Sequence, residues 1–407
     1  MSDLGLRAVS AFGFLSMIAI AWLVSRNRKR IAWRTVGWGI ALQLGLACVL
    51  LLTDLGAAFF VAVEVVVGGL VAYTNEGVQF VFRELNRPSL LTQVLPIILV
   101  MGSIFSVLYH LGIAQRIVNA LAFVLSRTMR LSGAESLAAV ANVFVGMVES
   151  ALVVKPYLPT MTKSELFALM TLGMGTVAGS VLVAYAAMLG EGYAGHLVTA
   201  SLMAAPAGLL IAKIMEPETE VPATAGAASV AIEVESVNVI DAAALGAING
   251  LRLAASVGAL LIVFVALIAL LNGALGSLGA WLGFPGLTFQ LLLGYALAPV
   301  ALLMGIAPSE ATTVGSLLGL KTVLNEFIAY EHLGSAVEAG RLSARSTVIA
   351  SYALCGFANF GSLAILLGGL GGIAPERRSD VAQLGLRAIL SGSLTTFMTA
   401  CLAGVLL

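Results

Sequence analysis

Two glutamates stand where a carboxylate is costly. Glu149 lies in the apolar run 142–154, and Glu326 lies in the run 320–330. An ionisable side chain at membrane depth persists mostly where it lines a polar cavity or meets a partner. One such segment in each half of the chain points to a binding site built from a duplicated element. Two carboxylates could also serve as an acid/base pair, so an intramembrane enzyme is a rival reading. No metal set, activated Ser or Cys arrangement or phosphate-binding glycine loop accompanies them in the sequence. A non-transporting membrane receptor is a second rival. The duplication argues against it, because a receptor needs access from only one face.

The elements that hold these carboxylates must be solvated by lipid. The chain has 407 residues, of which 60% are hydrophobic and only 10% charged, with a mean hydropathy of +1.03. Soluble domains carry about 25% charged residues. A spanning helix needs roughly 20 apolar residues. Candidate stretches are 5–24, 35–52, 57–73, 92–113, 165–189, 196–214, 251–283, 286–305, 346–372 and 382–407. Short strands of alternating polarity are absent from the sequence, which argues against a barrel. Helices satisfy their own backbone, so the expected fold is an all-α polytopic membrane bundle.

Formal net charge is zero, so nothing electrostatic favours a nucleic-acid partner. Cys48, Cys355 and Cys401 stand alone in apolar surroundings, and His110, His196 and His332 lack ligand spacing. The first apolar stretch has no basic region before it and no small-residue cleavage site after it, unlike a signal peptide. The basic loop Arg26, Arg28, Lys29, Arg30 and Arg34 follows instead, which places that loop in the cytoplasm and the N-terminus outside.

The acidic segment from Glu216 to Asp241 reads as a water-exposed linker. Residues 74–90 are too polar to span and suit an amphipathic helix at the interface. The two halves echo each other in order. The first runs from Glu135 through Glu149 and the Pro156/Pro159 break to a helix with Gly173, Gly175, Gly179 and Ser180. The second runs from Glu310 through Glu326 and a polar break to a helix with Gly356, Asn359, Gly361 and Ser362. Such weak internal symmetry marks repeats in secondary transporters, inverted if an odd number of crossings separates them. Around Glu149 and Glu326, one spanning helix and a re-entrant hairpin both fit the periodicity. A hairpin would free backbone groups to bind an ion or a polar substrate, and it needs cover from protein or a wet cavity.

Several motifs in this order resemble the concentrative nucleoside transporter family, over most of residues 95–405. They are Glu135-Ser136 through Gly146, KPYLP at 155–159 with SELF at 164–167, Lys321 with NEFIAY at 325–330, and CGFANF at 355–360. The resemblance implies eight spanning helices, two re-entrant hairpins, an interfacial helix, a homotrimer and ion-coupled uptake of nucleosides by an elevator-like movement. It also implies a multi-pass protein of the bacterial inner membrane. Residues 1–130 would form N-terminal scaffold helices and the interfacial helix, and 131–215 a first transport repeat. Residues 216–305 would hold the linker and further scaffold helices, and 306–407 a second transport repeat. Asn325 and Glu326 match the hairpin motif that binds ribose hydroxyls. Asn359 and Ser362 match unwound-helix positions on the sugar, Phe357 an apolar contact, and Glu149 the carboxylate facing the base.

The first hairpin departs from the family pattern. Better-known members carry Gly-Gln-Thr-Glu-Ala-Pro, whereas this chain has Gly146, Met147, Val148, Glu149, Ser150 and Ala151. Two polar base contacts become apolar. Because Met packs adaptably, looser discrimination among bases is the expectation; recognition of ordinary nucleosides through Glu149 and waters is the alternative. Asn142, Val145, Thr176 and Val177 match the sodium ligands of sodium-coupled members. Sodium is the expected coupling ion, with a proton carried by Glu149 as the alternative and a modified nucleoside or related sugar-bearing ligand as the substrate in that case. No resident cofactor is expected.

Other residues have simpler readings. Glu64 suits a structural partner in the scaffold or trimer. Lys321 suits a counter-charge to Glu326 or a snorkelling side chain. Arg127 and Arg130 mark a cytoplasmic boundary, and the glycines at 173–179 and 368–372 suit close helix packing. Competition of labelled uridine uptake by a panel of purine and pyrimidine nucleosides tests the Met147/Val148 departure. Comparable inhibition by both base classes is expected, and a strict preference for one would overturn looser discrimination.

Overall fold

The computed structural model describes residues 3–83, 92, 94–226, 236–284 and 286–407. Every regular element among them is helical. Three helices come first: α1 (Asp3–Leu23), α2 (Trp33–Leu52) and α3 (Asp54–Phe82). Thr53 caps α3 by accepting the Gly56 N–H. Then follow α4 (Leu95–His110), α5 (Ile113–Met129), α6 (Gly133–Phe144), α7 (Met147–Val153), α8 (Lys163–Gly175), α9 (Gly179–Leu189) and α10 (Ala194–Met215). The second set is α11 (Val239–Trp281), α12 (Phe289–Leu303), α13 (Ala311–Val323), α14 (Glu326–Glu338), α15 (Ala344–Leu354), α16 (Phe360–Ile373) and α17 (Arg378–Leu406). Both sets share one order: two leading helices, a pair of short helices, a helix broken in two, and a closing helix.

Among the described residues, seven spans are long and apolar enough to cross a bilayer, and an eighth is added if α4 and α5, bent by 77°, count as one. Two of the apolar stretches are interrupted helices. The stretch 165–189 breaks at Thr176–Ala178, and 346–372 breaks at Cys355–Asn359. The stretch 286–305 yields only the 15-residue α12. Helix α11, at 43 residues, is about 65 Å long and exceeds the thickness of a bilayer's hydrocarbon.

The structure corrects the reading of residues 74–90. Residues 74–82 continue α3 without a break, because Asn75 and Glu76 sit on a helix that satisfies its own backbone. Residues 84–91 lie outside the described residues. The helix with an interfacial pattern is α5. It follows the bend at Gly112 (φ +74°) and buries Ala114, Val118, Ala122, Leu125 and Met129 along one stripe, with Arg116, Asn119 and Arg127 among its polar residues.

The linker reading is corrected at its start, while most of the described residues from 219 onward are exposed as expected. Glu216 is buried and pairs with Arg26 at 3.3 Å, and Arg387 lies 3.9 Å away. Lys213 pairs with Glu135 at 2.8 Å and with Glu218 at 3.6 Å. The Thr162 hydroxyl donates to Glu218. Thr162 also caps α8 in a reciprocal box with Glu165. The start of the linker is therefore tied to the ends of α1, α8, α10 and α17 by partly buried ion pairs and hydrogen bonds, with the buried Lys213–Glu135 pair joining α6, which composition cannot distinguish from a solvated acidic run. Removing one member of the buried Lys213–Glu135 pair costs about 3–5 kcal/mol.

Small residues let helices approach closely in lipid. A Cβ on Gly250 of α11 would lie 2.8 Å from the Ile98 carbonyl oxygen of α4, and one on Gly246 would lie 2.4 Å from the Gly102 carbonyl oxygen. The packing reading of glycines 173–179 holds too, since a Cβ on Gly175 would meet Thr395 at 3.0 Å and one on Gly179 would meet Phe105 at 2.6 Å. Gly250→Ala is expected to lower stability by about 1–3 kcal/mol through overpacking, read as a lower melting midpoint in detergent. Gly258→Ala is the control, because its Cβ would meet only Leu95 at 3.5 Å. Equal midpoints for the two variants would overturn the close-packing account.

Candidate functional site

Gly146 turns the chain between α6 and α7. Its φ of +107° favours glycine. Beyond it, the Ser150 hydroxyl donates to Asn142 Oδ1 at 3.0 Å. Residues eight apart in one continuous helix would be about 12 Å apart along its axis. The unit is two short helices around a sharp bend, and not one spanning helix. In the second half, α13 ends at Val323 and α14 starts at Glu326, with the two packed on each other. Asn325 caps α14 by accepting the Ile328 N–H at 3.0 Å.

The two helix breaks cross beside these bends. A Cβ on Gly356 would lie 3.0 Å from the Met174 carbonyl oxygen and 3.1 Å from the Gly175 carbonyl carbon. A Cβ on Gly146 would meet the Ala178 Cβ at 3.1 Å. Four stretches of non-helical backbone thus cluster around one cavity of about 410 Å³. Pockets for small ligands run roughly 300–1,000 Å³. Gly146, Met147, Val148, Glu149, Asn325, Glu326, Phe357, Asn359 and Ser362 all line it.

The carboxylate of Glu326 is buried and organised. Its Oε1 accepts from the Tyr185 hydroxyl at 2.8 Å, and its Oε2 accepts from Asn359 Nδ2 at 2.8 Å. Asn359 also caps α16, with Oδ1 accepting the Ser362 N–H at 2.7 Å. The snorkelling reading of Lys321 is corrected, while its charge still acts on Glu326 as the counter-charge reading expects. Lys321 is 0% exposed, so it does not snorkel. Its ammonium donates to the Ala353 carbonyl at 2.8 Å and to the Thr396 hydroxyl at 2.9 Å. It satisfies a carbonyl next to the α15–α16 break and makes no hydrogen bond to Glu326.

Met147 and Val148 line the cavity, and each is rooted in a glycine notch. A Cβ on Gly173 would lie 3.0 Å from the Met147 Cβ, and one on Gly369 would lie 2.8 Å from a Val148 methyl. Hairpin packing therefore constrains these two residues. Asn142 Nδ2 donates to the Leu172 carbonyl at 2.7 Å and contacts Thr176 Oγ1. The Ser201 hydroxyl reaches the Val177 carbonyl at 3.4 Å. Val145 sits at the α6–α7 bend, where its neighbours Phe144 and Gly146 abut Gly179 and Ala178. The four expected sodium ligands surround the junction of bend and break.

Sequence reasoning missed Tyr185, Ser150 and Thr396. It also missed the polar residues Ser106, Tyr109 and Asn249, which line the cavity from α4 and α11. Uncharged polar residues such as these are common along helices in the sequence, and nothing in their spacing singles them out. Glu64 bonds the Gly192 N–H at 3.0 Å, in the connection between α9 and α10, as a structural partner. Gly369→Ala is expected to displace the first bend and weaken substrate affinity, and Val148→Ala, which empties the same space, to restore it. A coupling of about 1–2 kcal/mol between the two, read from uptake KM, is the expected outcome. Additive effects would overturn the notch assignment.

Three sequence models match the chain in order: Na+ dependent nucleoside transporter N-terminus over residues 12–85, Nucleoside recognition over 91–192, and Na+ dependent nucleoside transporter C-terminus over 196–404. An uncharacterized transporter, YutK, from Bacillus subtilis is 45% identical over 97% of this chain and 98% of its own length. Solute carrier family 28 member 3 of Rattus norvegicus is 41% identical over 99% of this chain and 59% of its own. The structure of CNTnw in an inward-facing substrate-bound state matches with a TM-score of 0.93 and 41% identity, over 98% of both chains. A doubly substituted CNTnw in an outward-facing state matches with a TM-score of 0.94 and 42% identity, over 98% of this chain and 97% of that one. With these matches spanning all its helices and the cavity at their centre, this chain belongs to the concentrative nucleoside transporter family.

Proposed function

We propose that the protein imports nucleosides across the bacterial inner membrane by symport with sodium. The observation that carries this reading is the cavity where both bends and both helix breaks converge on the buried carboxylate of Glu326. A carboxylate with free lone pairs accepts sugar hydroxyls, and charge-assisted hydrogen bonds are the stronger kind. Glu326, Asn325, Asn359 and Ser362 take the ribose, with Phe357 as an apolar wall. Gly146, Met147, Val148 and Glu149 border the base, which the apolar pair reads loosely.

Neutral oxygens suit a hard cation such as sodium. Asn142 Oδ1, the Thr176 hydroxyl and the carbonyls of Val145 and Val177 are the proposed ligands. The matching sequence models are described as Na+ dependent, and a Sodium/nucleoside cotransporter 1 of Mus musculus is 38% identical over 98% of this chain and 63% of its own length. These descriptions support sodium over a proton as the coupling ion.

Solved inward- and outward-facing states of CNTnw support alternating access. The cavity is lined from one side by α4 and α11, and from the other by the bends and breaks. An elevator movement would slide the second group past the first. In this division residues 1–130 and 216–305 hold the scaffold, and 131–215 and 306–407 form two inverted transport repeats with re-entrant hairpins. The exposed apolar side chains of α3 and α11 suit lipid and the contacts of a homotrimer.

Uptake of radiolabelled uridine and adenosine into proteoliposomes tests this reading, with wild type and Glu326→Gln under an inward sodium or proton gradient. Sodium-driven uptake reduced at least about a hundredfold by the substitution is expected, from losing a charged hydrogen-bond acceptor in a buried site. Uptake that a proton gradient drives and sodium does not would overturn sodium coupling. No uptake of either nucleoside under either gradient would overturn the substrate class.

A further inference from the structure

We infer that Tyr185 is a positioning residue for substrate: it holds Glu326 in the orientation that recognises a vicinal diol. The inference rests on the sugar site proposed above and adds to it a residue from the other repeat. Tyr185 lies on α9, in the first set of helices, and Glu326 and Asn359 lie in the second. Its ring is fully buried, stacked on Tyr330 at 4.4 Å and edge-on to Phe327 at 4.8 Å. Packing on two sides fixes where its hydroxyl points. That hydroxyl donates to Glu326 Oε1, while Asn359 Nδ2 donates to Oε2.

Each carboxylate oxygen has two lone pairs, so one donor on each leaves one acceptor site on each. The two remaining sites belong to one rigid planar group. Two adjacent hydroxyls of a ribose ring present two donors at a matching separation. A carboxylate held by a single donor would rotate about its last torsion, which is broad and weakly restrained. It would then meet one hydroxyl as well as two. Held at both oxygens, it favours the substrate that uses both free sites at once.

A merely structural tyrosine would act through its ring alone. Tyr185→Phe keeps the ring and its two aromatic contacts and removes only the hydroxyl. Tyr330→Phe is the packing control. It removes a hydroxyl that donates to the Ser351 carbonyl and not to Glu326.

The experiment is uptake into proteoliposomes of uridine, 2′-deoxyuridine and 3′-deoxyuridine, with KM and maximal rate measured for wild type and both variants. Wild type is expected to show a higher KM for each deoxy substrate. Tyr185→Phe is expected to raise the uridine KM about tenfold, the loss of one charge-assisted hydrogen bond, and to bring the deoxy-to-ribo KM ratios close to one at a similar maximal rate. Tyr330→Phe keeps the wild-type ratios. Wild-type ratios in Tyr185→Phe, or the same collapse in both variants, would overturn the inference and leave the sugar site standing. A wild type that transports nucleosides but does not distinguish the three would overturn the sugar site and this inference together.

Discussion

Backbone groups without a helical partner cannot face lipid, and this constraint shapes the fold. Among the described residues, four such places meet at the cavity: the bends at Gly146 and Leu324–Asn325, and the breaks at Thr176–Ala178 and Cys355–Asn359. The structure gathers them at one centre, where the two breaks pass within contact at Gly356 and Met174. Buried together, they cover one another and leave a mainly apolar cavity into which a few polar groups point. The glycines at these contacts are there because any Cβ would push the backbones apart.

The surrounding helices set which polar groups reach the cavity. Asn325 and Asn359 begin helices and line the site at the same time. Each cap uses its side-chain oxygen on the backbone. Asn359 is left with an amide N–H₂, which it directs to Glu326. Lys321 serves a related purpose one layer away, satisfying the Ala353 carbonyl before the break. Local helix chemistry and ligand recognition are carried by the same few residues, so disturbing one disturbs the other.

At the end of the molecule that holds the basic loop, the same economy appears in ion pairs. Arg26, Lys213 and Arg387 meet Glu135, Glu216 and Glu218, joining α1, α6, α10 and α17 to the segment that follows α10. The first hairpin begins inside this cluster, since Ser132 caps α6 and also donates to Glu165. The hairpin is thus anchored by desolvated charges at its base and by glycine notches at its tip. A unit fixed at both ends holds the position of Glu149 and Asn142 without help from lipid.

Much of this was legible in the sequence. Composition and run length determined a helical membrane protein, because lipid demands about 20 apolar residues per crossing and leaves no other common choice. Glu149 and Glu326 announced the site, because burying a carboxylate in an apolar run is costly enough to imply a purpose. The ordered motifs pointed to the family. The tertiary structure alone decided who meets whom. The Tyr185 hydroxyl reaches Glu326 across 141 residues, Lys321 donates to Thr396, and Glu216 is drawn out of solvent beside Arg26 and Arg387. The polarity at 74–82 was absorbed into α3, whose backbone is satisfied whatever its side chains carry. The physical reason is common to all of these. Periodicity and composition report what kind of medium a segment prefers, whereas a hydrogen bond or ion pair depends on two groups that only the packing of distant helices brings within 3 to 4 Å.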